Sequence, residues 1–373
     1  MITLFAFLFF YLSIYFLGRG LFKIFKFKLK NIYDIPINIL YPIFGLFYLG
    51  NATLLINFFF PISSYISYSL LVLPLFFNFI EFKKLKLILS IKNLITFLLT
   101  PLVIGVSISD INLAYDAGLY HLNHQKWIQS EKIVFGLVNN HNRFGYSSII
   151  EYINVNFWLD NNYILLHFVN LIFIIVFFQI IYLLLFTKYF KFSISILIYG
   201  LFDNFGFNGG KNGFIEIESI AKQDTPFAII FIISSYLTYR FFIDDKKKME
   251  GNEKLILILC LFSIELRLLG FLNIFFLLLV LVNKYKISQT INITFKNNFL
   301  IIFLGVAFIV KNLITSSCMF YPIKFTCLDF LPWAKGDYAN PSSENAAQPY
   351  FHIALTTTNY INWLNEWTAK EVN

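Results

Sequence analysis

The sequence predicts an all-α fold, a polytopic bundle of helices that crosses a membrane several times. Hydrophobic residues make up 58% of the 373 residues and charged residues only 13%, about half of the share that is usual in soluble domains. Several windows of roughly 17–25 residues carry almost no charge, which is the length that a helix needs to cross a bilayer. Runs this continuous favour helices over the alternating strands of a membrane barrel, because a helix satisfies its own backbone hydrogen bonds in lipid.

The apolar windows predict seven full spans and three shorter pieces. The full spans cover about residues 2–22, 35–60, 61–80, 93–107, 163–186, 225–243 and 299–313. The run 193–202 is short for a span, and residues 255–283 are too long for one helix and carry Glu265 and Arg267 in the middle. We therefore predict two short half-spans with their turn at Arg267.

Lysine clusters between the spans predict the orientation. Alternation from an outer N-terminus places all of them on one face, at 23–30, 83–92, 188–191, 246–254 and 284–296. The positive-inside rule makes that face cytoplasmic. Lysines in short loops also explain the net charge of +8 without nucleic acid. We expect an integral protein of the bacterial inner membrane with four segments: N-terminal spans (1–109), an extracytoplasmic loop (110–162), further spans (163–315) and an extracytoplasmic C-terminal segment (316–373).

The three cysteines have no metal-binding spacing. Cys260 lies in an apolar run and is predicted to pack as a small apolar residue. Cys318 and Cys327 are expected to form a disulfide if their loop is extracytoplasmic.

The loop 110–162 concentrates the ionisable residues, and Asp116 is its first catalytic candidate. A carboxylate at the membrane boundary can act as general base on an acceptor hydroxyl, with capping of the next helix as the alternative. Residues 117–131 predict an interfacial helix. On it His121 and His124 are three apart and share a face. Such a pair suits zinc if a carboxylate joins it, or plain amphipathic packing.

Other polar residues near predicted span ends are candidates for substrate binding or catalysis. Arg143, in the run that starts at His141, can clamp a phosphate or pair with a nearby Glu. Asp224 begins a helix, as a cap or as a second catalytic carboxylate. Arg267 is costly in lipid unless it lines a polar cavity, and Lys311 either joins it or snorkels to the interface.

Three stretches carry a family resemblance across about residues 110–335. The run YDAGLYHLNHQKWIQSEKIVFGLVNNHNRFGYSS resembles a motif of bacterial membrane proteins that are similar to the GT-C superfamily of polyprenyl-phosphate-dependent glycosyltransferases. QDTPFAIIFIIS and KNLITSSCMFYPI resemble later segments of the same group. The resemblance implies a GT-C-like bundle with interfacial helices in a large outer loop. It assigns the acceptor-activating carboxylate to Asp116, with Asp110 as substitute. This chain departs from that group in having three extra spans before the loop and a lysine, Lys311, where the group has arginine.

The resulting hypothesis is a glycosyltransferase that moves a sugar from a polyprenyl-phosphate donor to an envelope glycan or lipid acceptor. Its predicted catalytic residues are Asp116, Asp110 and Asp224. Its predicted substrate-binding residues are Tyr120, His121, His124, His141, Arg143, Arg267 and Lys311. No cofactor is indicated, and a divalent metal stays an open alternative. Two further hypotheses are a transporter or flippase of lipid-linked glycans and a non-catalytic assembly scaffold.

Overall fold

The computed structural model describes residues 2–24, 31–82, 95, 99–105, 117–146, 148–159, 163–204, 223–243, 252–288, 290 and 298–334. Asp110, Asp116, about half of the predicted fourth span and the tail after residue 334 lie outside them.

The described residues are predominantly helical, in agreement with the predicted all-α class. The helices, in chain order, are α1 (Ile2–Ile24), α2 (Ile37–Asn57), α3 (Ser64–Phe82), α4 (Thr100–Gly105), α5 (Leu122–Ser130), α6 (Ile149–Asn154), α7 (His167–Leu184), α8 (Phe190–Asn204), α9 (Asp224–Ile243), α10 (Asn252–Leu266), α11 (Phe271–Lys284) and α12 (Phe299–Ser316). A two-stranded antiparallel hairpin, β1 (Asn31–Ile32) and β2 (Ile35–Pro36), joins α1 to α2. Several loops contain short 3₁₀ turns. A π-helical turn at Ala117–His121 immediately precedes α5.

Five of the described helices are long and apolar enough to cross a membrane: α1, α2, α7, α9 and α12. By length and composition, these helices fit the predicted helical membrane protein. Residues 252–284 form two helices instead of one over-long span, because the chain breaks after Leu266 and Arg267 adopts an extended backbone. The run predicted as 193–202 is part of a longer helix, the 15-residue α8.

Helix α7 is buried along most of its length and lies in the main apolar core. Side chains from α1, α2, α10 and α12 belong to the same core. Helices α1 and α2 approach each other at glycines, where an added Cβ on Gly18 would lie 1.8 Å from the carbonyl oxygen of Tyr41. Small residues at such crossings let two backbones pack closely in lipid, where the hydrophobic effect does not hold helices together.

One end of the bundle, here called the loop end, carries the segment 117–159. The side chain of Asn57, at the end of α2, donates to the carbonyl of Glu131 (2.9 Å). The amide of Gly136 donates to the carbonyl of Ile314 near the end of α12 (2.8 Å). Ser148 Oγ donates to the carbonyl of Leu266, the last residue of α10 (3.0 Å). The C-terminal ends of α2, α10 and α12 therefore meet at this loop.

The opposite end, here called the hairpin end, is closed around Arg240 near the end of α9. Arg240 Nη2 lies 3.2 Å from Asp34 Oδ2 in the β1–β2 turn. Its guanidinium also stacks over the ring of Tyr189, between α7 and α8, at 4.2 Å. Lys284 at the end of α11 lies over the ring of Phe241 (4.9 Å). Connections that the sequence assigns to one face of the membrane thus come together in space.

Candidate functional site

A polar cavity of about 430 Å³ lies at the loop end, among the segment 120–151, the start of α9, the α10–α11 break and the end of α12. The first three of these parts contribute charged side chains to its lining. The lining residues that matter here are Tyr120, His121, His124, Arg143, Gly145, Glu151, Asp224, Glu265, Arg267 and Tyr321.

The carboxylate of Glu151 holds the His121 side chain in place. His121 Nδ1 pairs with Glu151 Oε1, and Gln125 Nε2 donates to Glu151 Oε2 (2.9 Å). All three side chains are buried. Glu151 lies in the first turn of α6, whose N-cap is Ser148: the Ser148 hydroxyl accepts from the amide of Ile150 (3.3 Å). Because Ser148 also binds the end of α10, the position of Glu151 is fixed relative to the membrane helices.

His124 shares the cavity-facing side of α5 with His121, as the spacing of three predicts. Burial lowers the pKa of His124 to about 4, and the nearby charges of Lys311 and His121 lower it further against the opposing effect of Glu151. The imidazole of His124 is therefore neutral at neutral pH. Its ring packs 5.6 Å from the ring of Phe144.

Beneath the cavity lies a second set of charges. Lys311 of α12 has 0% exposure, and its Nζ lies 4.2 Å from the ring centroid of Phe308. It interacts electrostatically with Glu265 and Glu151. Glu265 Oε2 accepts from Asn51 Nδ2 (3.0 Å), whereas Glu265 Oε1 has no hydrogen-bond partner among the described residues. Charges buried this deeply are expensive, and in membrane proteins they commonly mark a functional site.

Two guanidinium groups stand on the cavity wall. Arg267 forms an ion pair with Asp224, and both side chains are partly exposed. The guanidinium of Arg143 lies over the ring of Tyr120 (5.8 Å). Within the described ranges Arg143 has no carboxylate partner, so the predicted pairing with Glu131 or Glu151 is not seen there. A planar, partly exposed guanidinium held by an aromatic ring suits an anionic ligand.

A disulfide-closed loop completes the wall. Cys318 and Cys327 are bonded, as expected for a loop in an oxidising compartment. Tyr321, inside this loop, packs so closely on Gly145 that a Cβ there would lie 2.6 Å from its ring. The Tyr321 ring also meets the ring of Tyr146 edge-on (5.1 Å). The loop and the turn at Asn142–Tyr146 therefore form one continuous surface of the cavity.

The structure brings most of the sequence-predicted residues together. Six of them line the cavity: Tyr120, His121, His124, Arg143, Asp224 and Arg267. Lys311 lies under the cavity and is fully buried, so the alternative of snorkelling to the membrane interface is wrong. His141 lies on the other side of α5 and lines a separate surface depression with Asn123 and Lys126.

Two carboxylates of the cavity, Glu151 and Glu265, are not among the predicted site residues. Glu151 stands three residues after Ser148, which is the spacing of an ordinary helix cap. Glu265 lies in an apolar run two residues before Arg267, and of these two residues only Arg267 is predicted from the sequence as a site residue. A carboxylate inside an apolar run is the signal that identifies Glu265.

The assembled groups can exchange protons and bind anions. A histidine paired with a buried carboxylate is a typical acid–base unit, and a guanidinium can stabilise negative charge that develops on a leaving group. No cluster of three or more potential metal-binding side chains occurs within the described part of the chain. A divalent metal, the alternative left open by the sequence, would therefore need ligands from residues outside the described part of the chain.

A family model described as "Domain of unknown function (DUF8201)" matches residues 1–372. The chain therefore belongs to this family. No curated protein and no solved structure matches it.

Proposed function

We propose that this member of the DUF8201 family is an integral membrane glycosyltransferase. It would move a sugar from a polyprenyl-phosphate donor to an envelope glycan or lipid acceptor. The observation that carries the proposal is one cavity, at the end of the membrane helices, that combines an acid–base pair (His121 and Glu151) with two guanidinium groups. The reaction needs both, because a proton leaves the acceptor while negative charge grows on the departing phosphate.

The two arginines are the proposed phosphate-binding groups. Asp224 holds Arg267, and the Tyr120 ring supports Arg143, so both guanidinium groups are oriented before a ligand arrives. A preoriented cation lowers the barrier to leaving-group departure, since no reorganisation is needed as the charge develops. Arg143, which lacks a carboxylate partner within the described ranges, is the better candidate for direct contact with the phosphate.

The surroundings of the cavity suit a substrate with a polar head and an apolar tail. Leu268 and Leu269 line the cavity, and Leu269, Phe271 and Leu272 expose large apolar side chains next to it. In a bilayer these side chains would face lipid. An isoprenoid chain could therefore stay in the membrane while its phosphate reached the arginines.

Two observations support an extracytoplasmic cavity in an inner membrane. Lys188 and Lys284, from two of the lysine-rich connections, lie at the hairpin end, and the positive-inside rule assigns such connections to the cytoplasm. The disulfide between Cys318 and Cys327 lies at the loop end and fits an oxidising compartment. Lipid-linked donors, unlike nucleotide sugars, are available on that side.

The acceptor would bind near the stretch that links Asp116 to His121. Asp116 remains the base expected from the family resemblance; it immediately precedes Ala117, the first described residue of the π-helical turn. Glu265 Oε1, buried and unpartnered within the described residues, is suited to accept a hydrogen bond from a sugar hydroxyl.

The test uses the full chain in proteoliposomes with undecaprenyl-phosphate sugars and lipid or glycan acceptors from bacterial envelopes. We expect wild type to release undecaprenyl phosphate in an acceptor-dependent manner. Arg143→Gln and Arg267→Gln should lower the rate by roughly 10²- to 10³-fold, the usual effect of removing one charge-stabilising donor. Ser130→Ala, on the exposed side of α5, is the matched control. Wild type that cleaves no donor from the panel would refute the proposal.

A transporter of lipid-linked glycans is the second candidate, and the buried charges of Lys311 and Glu265 favour it. The same vesicles distinguish the two. A transporter would move the intact labelled donor between leaflets and leave the sugar–phosphate bond uncleaved.

A further inference from the structure

The orientation of His121 distinguishes its two ring nitrogens. Nδ1 is taken by Glu151 Oε1, so it carries the proton in the neutral ring. Nε2 has no hydrogen-bond partner within the described residues, and the residue lines the cavity. The second oxygen of Glu151 is taken by Gln125 (2.9 Å). With both carboxylate oxygens engaged, the tautomer and the ring orientation of His121 are fixed, and Nε2 is the nitrogen available to a ligand.

The neighbours of this pair are arranged to stabilise positive charge that develops on the His121 ring during proton transfer. Glu151 offers a negative charge to the imidazolium, as the third member of a catalytic triad does. Lys311 on α12 interacts with Glu151 and Glu265 from beneath, so the carboxylate is itself balanced by a cation. Arg143 approaches from the other side through the Tyr120 ring, which packs 4.1 Å from the His121 ring.

We propose that His121 is a catalytic residue that accepts the acceptor proton at Nε2, and that Glu151 is its positioning residue. This assignment rests on the proposed glycosyl transfer. The acceptor oxygen forms a bond to the anomeric carbon of the sugar as the bond from that carbon to the phosphate oxygen breaks. The electron pair of the broken bond stays on the phosphate, and the acceptor proton moves to Nε2. His121 returns the proton to water when the products leave.

His124 does not compete for this role, although it faces the same cavity. Burial lowers the pKa of His124 to about 4, which makes it a weak proton acceptor at neutral pH. Asp116 is the remaining competitor, and the experiment therefore includes it.

The experiment measures kcat and KM for donor cleavage in the same proteoliposomes. We expect His121→Ala to lower kcat by roughly 10²- to 10⁴-fold, the usual range for loss of a general base, with the donor KM changed less than about threefold. Added imidazole should restore part of the rate in His121→Ala and none in Arg143→Gln. Ser130→Ala again serves as the control. If His121→Ala does not fold, His121→Gln replaces it in the same comparison.

Glu151→Gln tests the positioning role, because it keeps the shape of the side chain and removes its charge. We expect kcat to fall by at least about tenfold and the acidic limb of its pH profile to move to lower pH, since the imidazolium loses its counter-charge. The ionisable groups near His121, besides Glu151, are Arg143, Lys311 and His124. A purely structural Glu151 would leave the pH profile unmoved.

The experiment distinguishes a wrong assignment of His121 from a wrong assignment of the glycosyltransferase function. If His121→Ala cleaves donor at the wild-type rate while Asp116→Asn abolishes cleavage, the base is Asp116 and the glycosyltransferase proposal stands. If wild type cleaves no donor at all, both proposals fall.

Discussion

Lys311 shows how the meaning of one residue depends on its neighbours. Its place near the end of a span suggests a side chain that reaches the interface, yet the structure buries it completely. The ring of Phe308 lies 4.2 Å from its Nζ and that of Tyr152 5.9 Å, and the two carboxylates nearby are Glu265 and Glu151. A cation in this place balances acidic groups that the cavity needs.

Removing that cation should destabilise the protein. Lys311→Met would leave two buried carboxylates without compensation, and we expect the free energy of unfolding to fall by roughly 3–5 kcal/mol. The double variant Lys311→Met with Glu265→Gln should recover much of the loss, because one carboxylate is neutralised as well. Denaturant unfolding in detergent micelles measures both. Equal stability of the single variant and the wild type would contradict the arrangement.

His124 should make stability dependent on pH. Its ordinary pKa of 6.5 applies in the unfolded chain, and burial lowers it to about 4 in the folded protein. The unfolded state therefore binds the extra proton first. The contribution is fully present above pH 6.5 and declines as the pH falls towards 4, by roughly 3 kcal/mol at most.

The check is thermal unfolding of the detergent-solubilised protein between pH 7 and pH 4. We expect His124→Gln to lose less stability over this range than wild type. His141→Gln, on the far side of α5, is the control and should keep the wild-type slope. A slope unchanged by His124→Gln would show that other groups dominate.

At the scale of elements, the cavity depends on contacts between loops that are distant in sequence. The disulfide-closed loop packs Tyr321 onto Gly145, in the turn Asn142–Tyr146. A Cβ at position 145 would meet three ring carbons of Tyr321 within 2.8 Å. The ring is buried and cannot move aside freely, so the two loops fit together only with glycine there.

Gly145→Ala should therefore disturb the cavity wall. We expect a loss of roughly 1–3 kcal/mol in the free energy of unfolding, typical of overpacking, together with slower donor cleavage. Gly20→Ala is the matched control, since an added Cβ there meets no atom within 4 Å. In mid-helix it should be neutral or slightly stabilising. If Gly145→Ala has the stability and activity of the wild type, the disulfide-closed loop moves to accept the added methyl group and the close fit is not required.

The elements themselves were largely predictable from the sequence, and the composition of the site was only partly so. Apolar runs in the sequence predict the spans. The charge at Arg267 predicts the break between α10 and α11, because a charged side chain is costly in the middle of a span. Glu151 is not predicted as a site residue, because its spacing from Ser148 is that of a helix cap. It does lie in the first turn of α6. Its second role, holding His121, arises from a contact across 30 residues that periodicity does not report.

In the whole molecule, the proposed function places the loop end and the hairpin end on opposite sides of the membrane. Lys126 of α5 and Lys188 between α7 and α8 are both exposed and mark the two ends. A cysteine at either position, introduced with Cys260→Ala, provides one reactive thiol while the native disulfide remains.

We expect a membrane-impermeant maleimide to label Lys126→Cys in intact spheroplasts. It should label Lys188→Cys only after the membrane is opened. Labelling of both cysteines in intact spheroplasts, or labelling of Lys188→Cys alone, would refute the topology. It would also refute the use of a lipid-linked donor on the extracytoplasmic side.

The most direct test of the central claim is where a lipid-linked phosphate binds. A polyprenyl-phosphate analogue with a diazirine beside the phosphate would be photolysed on the full chain in nanodiscs, and the labelled peptides identified by mass spectrometry. We expect crosslinks within 120–124, at Arg143 or within 266–269, and we expect excess undecaprenyl phosphate to reduce them. Crosslinks confined to the hairpin end around Asp34 and Arg240, or insensitive to that competitor, would contradict it.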